Sequence, residues 1–218
     1  MTIIRTNEQL GRTSLYELTN SWEKPARMRF VENFSGNELN TNRWDTTLVN
    51  GGTVAMSNTV NGGVILSTNT TAGTSSAYID FADVKQFGMT SSIIWTAIHS
   101  HSTQESYSGL SAGSTGGSAD PQITSYVHTG WGSSNFDLYT YGGGAGTWTD
   151  GTIAGLTSNH TQKLELTGTA GNSYVDGVLN VTSTTTLPDA NMQPIFGLNS
   201  SDTTNKTINI TYCEAWNH

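Results

Sequence analysis

The chain has 218 residues and a formal net charge of −8; 34% of its residues are hydrophobic, only 12% are charged, and 24 are glycine. This balance, rich also in Ser, Thr and Asn, excludes a bundle of long amphipathic helices, which needs more Ala, Leu, Glu and Lys. The 6 Trp, 8 Tyr and 6 Phe supply too much apolar area for a disordered polymer.

The length suits one domain with an extension. The few basic residues cluster early, at Lys24, Arg27 and Arg29, and form no stripe for a phosphate backbone, so no nucleic-acid partner is expected. With Cys213 as the single cysteine, no intrachain disulfide can form, which favours assembly in a reducing cytoplasm. The opening MTIIRTNEQLGRTSLYELTN lacks the basic, apolar and small-residue succession of a secretory signal. No apolar run approaches the roughly 20 residues of a membrane helix, so no membrane insertion is expected. Asn-x-Ser/Thr sequons at Asn69, Asn159, Asn180 and Asn209 are read as chance products of an Asn- and Thr-rich chain, without glycosylation.

Residues 1–30 are polar with scattered apolar positions and no sustained period, and are read as an N-terminal arm. Ser14–Trp22 has a short helix signal, with Ser14 as N-cap and Glu17 three residues on. The arm is either an extra strand or frayed end, or a docking segment whose apolar residues cover a partner. Residues 31–218 change to short alternating runs between Gly, Asn, Asp and Ser clusters, the pattern of an all-β sandwich. Expected strands are 63–68, 76–81, 90–101, 122–127, 135–141, 162–167, 173–176, 178–182, 194–198 and 208–216. Asp176-Gly177 sits between two β-rich runs and predicts a two-residue type I′ hairpin. Gly-rich segments 113–117 and 142–146 are read as loops at the sheet ends.

The order of the C-terminal half is distinctive: HTQKLELT from His160, SYVDGVL from Ser173, MQPIFGL from Met192 and INITYCEAW from Ile208. It resembles the closing strands of concanavalin A-like lectin/glucanase domains. ENFSG from Glu32 and LNTNRW ending at Trp44 similarly resemble their opening strand, where a Phe and a Trp enter the core. The resemblance covers about residues 30–218 and implies a two-sheet antiparallel β-sandwich, a concanavalin A-like jelly roll with an N-terminal arm. In glucanases of that fold the chemistry resembles a paired-carboxylate site with the pattern Glu-x-Asp-x-x-Glu. Nothing here matches it: Ser91–His101 holds no acid, Asp80 and Asp83 fall on opposite faces of a regular strand, and Glu214 stands alone. The Arg-x-Glu-x-Arg and Gln-x-His strands of lyases of similar fold are absent as well.

Trp95, Ala97, His99 and His101 share one face of their strand, and Ile94 and Ile98 the other. The first face reads as ordinary polar surface, as a contact face with Trp95 stacking on a sugar ring and the imidazoles meeting hydroxyls, or as a His-x-His metal site with Glu105 nearby. Polar surface is preferred and no metal is expected. In NFDLYTY, Phe136 and Leu138 share the core face, which leaves Asp137, Tyr139 and Tyr141 as an exposed row suited to a protein or glycan. Trp131 and Trp148, in Gly-rich segments, either plug the sandwich or project as contacts. Cys213, on the alternate face from Ile208, Ile210 and Tyr212, is expected to be a small buried or half-buried thiol with no base beside it.

The expected function is a non-enzymatic structural or surface module without a cofactor. It resembles virion surface proteins of bacterial viruses, made in a host cytoplasm and displayed outside as decoration, fibre or tail components. Such a module would bind its own copies and other assembly proteins through the arm, and would touch surface glycans. The alternatives are an extracellular carbohydrate-binding module using Trp95, His99, His101, Tyr139, Tyr141, Trp131 and Trp148, or a divergent glycoside hydrolase.

Overall fold

A computed structural model describes residues 28–58, 62–70, 75–100, 105–113, 126–130, 135–155, 157–200 and 203–218. Residues 1–27, with the expected helix, lie outside the described residues, whereas Arg29 and Phe30, at the end of the expected arm, already belong to a strand of the sandwich. Among the described residues the chain is all β, without a helix, and its strands form two antiparallel sheets.

The first sheet runs in the order β13 (Val178–Ser183), β12 (Gly171–Val175), β11 (Asn159–Leu166), β6 (Ser91–His99), β15 (Thr207–Asn217), β4 (Val64–Ser67), β3 (Thr53–Met56). Strand β1 (Arg29–Glu32) joins its β15, with Phe30 opposite Ala215. The second sheet runs β10 (Ala145–Thr149), β9 (Asp137–Gly142), β8 (Tyr126–Gly130), β7 (Glu105–Ser111), β14 (Gln193–Ser200), β5 (Ser75–Asp80), β2 (Asp45–Val49).

Alternation explains why the layers face each other. Ile93, Trp95, Ala97, Leu164, Leu166, Ile208 and Ile210 of the first sheet meet Ala77, Ile79, Leu110, Leu138, Phe196 and Leu198 of the second in one core. Aromatic rings fill its centre: Trp95 meets Phe196 edge-on at 6.1 Å, and Trp44 lies 6.0 Å from the same ring and 5.2 Å from Phe34. The expected entry of a Phe and a Trp from the opening segment is thus seen in Phe34 and Trp44, both buried.

Two local features set the geometry near the candidate sites. Asp176 and Gly177 take φ of 50° and 80° and close the β12–β13 hairpin with Val175 opposite Val178, the turn that Asp-Gly predicts. Gly143 and Gly144, with φ of 61° and 79°, make the same kind of turn between β9 and β10. The 142–146 glycine run is therefore a tight hairpin and not an open loop. Gly143 N–H donates to Asp189 at 3.1 Å, which pins the hairpin.

The face assigned to Cys213 is corrected. A register shift between Ile210 and Tyr212, where β15 pairs with β6, reverses the alternation, so Cys213 and Ala215 join Ile208 and Ile210 in the core. The thiol is buried as expected, and burial pushes its pKa well up, with Glu32 and Glu214 adding to the rise.

Candidate functional site: the outer face of the seven-stranded sheet

Residues that alternate with the core positions of the second sheet line its outer face. In register across it stand Trp148 opposite Tyr139, Tyr107 opposite Gly197, Gly197 opposite Tyr78, and Tyr78 opposite Thr47. The centre of this face is polar and buried: Ser76, Asp80, Gln193 and Asn199 are all shielded from solvent. Tyr78 lies across Gly197, where any side chain would collide with its ring, and its hydroxyl donates a short hydrogen bond to Asn199 Oδ1. Gln193 Nε2 donates to Gly113 O at 3.3 Å.

The β9–β10 side carries an aromatic row. Trp148 is 50% exposed, whereas Tyr107, Tyr139 and Tyr141 are half-buried. Ring centroids are 4.4 Å apart for Tyr139–Trp148, 6.4 Å for Tyr139–Tyr141 and 6.4 Å for Tyr107–Trp148. Tyr107 and Trp148 sit on strands three places apart, a separation of about 14 Å on a flat sheet. Their rings therefore lean toward each other across the two intervening strands.

The row is fixed from behind. Asp137, expected on an exposed row, is buried, and its Oδ1 accepts Gly151 N–H at 3.0 Å, two residues past the end of β10. Asn180 Oδ1 accepts Thr152 N–H and Ile153 N–H, both at 2.9 Å, while its Nδ2 donates to Phe136 O. Thr140, on the inner face of β9, donates to Thr185 O at 2.9 Å. These bonds hold the open end of the β9–β10 hairpin and the middle of β9, and with them Tyr139, Tyr141 and Trp148.

Trp95 and His99 are corrected. Both lie inside the sandwich, Trp95 at 0% exposure and His99 at 1%, and Ile98 on the opposite face is exposed instead. Each face of that strand bears large apolar side chains, and the first sheet packs its aromatic face inward, against Phe196 and Phe136. His99 lies 3.4 Å from Gln162 Nε2, and burial, helped by the charge of His160, lowers its pKa to about 3. It is a neutral core histidine and not a sugar contact. His101 and Trp131 lie outside the described residues. Among the described residues no group of three or more His, Cys, Asp or Glu gathers as for a metal ion.

Sequence reasoning missed one acidic pair. Asp45 and Asp80 are directly opposite in register at the β2–β5 edge of the outer face, Asp45 exposed and Asp80 buried. They are 35 positions apart in the chain, so no short motif signals them.

No protein-family profile matches the sequence, and no curated protein matches it. Solved structures do. The fold is similar to a GlcNAcα1-4Gal-releasing endo-β-galactosidase from Clostridium perfringens, with TM-score 0.63 and 14% identity over 89% of this chain and 64% of that one. It is similar to a glycoside hydrolase family 16 endo-glucanase from Bacteroides ovatus, with TM-score 0.62 and 11% identity over 84% and 98%. It is also similar to a carbohydrate esterase from the Shiga toxin-encoding bacteriophage phi24B, with TM-score 0.53 and 13% identity over 81% and 90%. The chain spans less than two thirds of the galactosidase structure.

The chain therefore has the concanavalin A-like jelly-roll fold shared by glycan-acting proteins. The expectation of a non-enzymatic module does not stand, because the solved structures with this fold include glycosidases. The missing Glu-x-Asp-x-x-Glu strand excludes one arrangement of carboxylates and leaves others, such as a cross-strand pair, untouched.

Proposed function

We propose that this domain engages a glycan along the outer face of the seven-stranded sheet, with Trp148, Tyr139 and Tyr141 as the stacking platform. The observation that carries the reading is the convergence of Trp148 and Tyr107 to 6.4 Å while half of Trp148 stays open to solvent. A pyranose ring presents an apolar face that such indole and phenol rings can cover, and the polar groups of a sheet face can satisfy its hydroxyls. The glycan-acting proteins that share the fold support the same class of ligand.

The test is a glycan-array screen of the full chain followed by calorimetry with the best hit. Trp148→Ala and Tyr141→Ala are expected to weaken binding about tenfold or more. Unchanged affinity in both variants overturns the platform. Reducing-sugar release from the same hit, measured with Asp45→Asn and Asp80→Asn alongside, decides whether the bound glycan is also cut.

Display on a bacteriophage particle, with self-association through residues 1–30, belongs to this proposal. It is supported by the disulfide-free, Gly-, Ser-, Thr- and Asn-rich chain and by the likeness to a phage esterase. Peptides of the chain in purified particles would be the confirming result, and their absence there would remove this part.

A further inference from the structure

At the end of the sandwich where β11 begins, three side chains outside the aromatic row form a hydrogen-bonded line. Ser158 and His160 are two residues apart and point the same way. Ser158 Oγ lies 2.9 Å from His160 Nε2, and His160 Nδ1 lies 2.6 Å from Asp176 Oδ2. Asp176 occupies the β12–β13 turn, and its other oxygen accepts Thr161 N–H at 2.9 Å. We infer that Ser158, His160 and Asp176 form a hydrolytic relay in which Ser158 Oγ is the nucleophile toward carboxylic esters.

The chemistry of the partners fixes the protons. An ionised carboxylate can only accept, so Nδ1 of His160 carries the hydrogen, and in the neutral imidazole Nε2 presents a lone pair to the Ser158 hydroxyl. Partial burial draws the Asp176 carboxyl upward in pKa, but the His160 hydrogen bond, Thr161 N–H and the charge of His160 outweigh it and hold it below its ordinary value. His160 is buried, with its ring edge-on to Phe136 at 5.6 Å, and so is held in place. Ser158, in contrast, is exposed and can meet a substrate. A histidine that served only to tie the hairpin to β11 would need Nδ1 alone. Here the second nitrogen meets an accessible hydroxyl, the arrangement by which a base activates serine.

The reaction is ester hydrolysis. Ser158 Oγ attacks the acyl carbon as its proton passes to His160 Nε2, and the carbonyl π pair moves to oxygen. That pair returns and expels the alcohol oxygen, which takes the proton from Nε2 and leaves an acyl-Ser158. Water, deprotonated by Nε2, then attacks the acyl carbon, and the Ser158 oxygen leaves and regains its proton, so ester and water yield acid and alcohol. Asp176 is a positioning residue that keeps the tautomer. The relay stands on the other sheet from the glycan platform and does not depend on it.

The full chain is treated with a fluorophosphonate probe and, separately, with p-nitrophenyl acetate. One adduct per chain on the peptide holding Ser158 is expected, with p-nitrophenol release. Ser158→Ala, at an exposed site that leaves the fold intact, should abolish both. Asp176→Asn, which suits the same turn, should lower both rates about a hundredfold or more with melting little changed. Leu48→Ser, at an exposed position of the other sheet, should label as the parent does. Absence of an adduct on the parent chain, or labelling that persists in Ser158→Ala, overturns the relay.

Discussion

Tyr139 lies across Gly146 on the neighbouring strand, so closely that any Cβ at the glycine would collide with the phenol ring. The backbone there is extended and tolerates a side chain, and the atoms in the way are the far end of Tyr139. Gly146→Val should therefore tilt Tyr139 away from Trp148 without unfolding the hairpin. We expect glycan affinity to fall severalfold while the melting temperature moves by a few degrees at most, read by calorimetry and thermal scanning.

Two tryptophans should give opposite phenotypes. Trp148→Ala removes a half-exposed ring and should cost affinity with stability changed by under about 1 kcal/mol. Trp95→Ala empties the centre of the core and should cost about 3–5 kcal/mol in chemical denaturation. Loss of stability from Trp148→Ala comparable with that of Trp95→Ala would place Trp148 in the core.

Acid should destabilise the fold through His99. Its pKa falls from the ordinary 6.5 to about 3 in the folded chain, chiefly by burial. Between these values the unfolded chain binds the extra proton, so stability is fully present above pH 6.5 and declines as pH drops toward 3. The decline should reach several kcal/mol, and His99→Gln should flatten it in urea titrations at pH 7, 5.5 and 4. An unchanged slope in that variant would move the acid sensitivity elsewhere.

Cys213 should be silent toward Ellman's reagent in the native protein and react with one equivalent in denaturant. The thiol is fully buried and its pKa raised, so neither access nor thiolate is provided. Rapid native modification would contradict this placement.

Much of the architecture was legible because period-two burial and turn chemistry are local. Asp176-Gly177 dictated its own hairpin, and Phe136 and Leu138 announced the inner face of β9. The face of the Trp95 strand was not legible, because Ile94 and Ile98 compete with Trp95 and Ala97 in apolar character. Only the ring of Phe196 from the opposite sheet settles it. The site was partly legible for the same reason. Tyr139 and Tyr141 follow from alternation within one strand, whereas the Asp45–Asp80 pair and the approach of Tyr107 to Trp148 come from the pairing of strands distant in sequence. Ser158 and Asp176 meet through His160 only when the hairpin folds back on β11.

The irregularity in β15 makes Thr211 the spare residue of its strand. Two steps from Ile210 to Tyr212 match a single step from Ala97 to Thr96 on β6. Removing Thr211 would leave an unbroken alternation with Ile210, Cys213 and Ala215 still facing the core and Tyr212 and Glu214 outward. A deletion scan should therefore find an island of tolerance at this position inside a central strand.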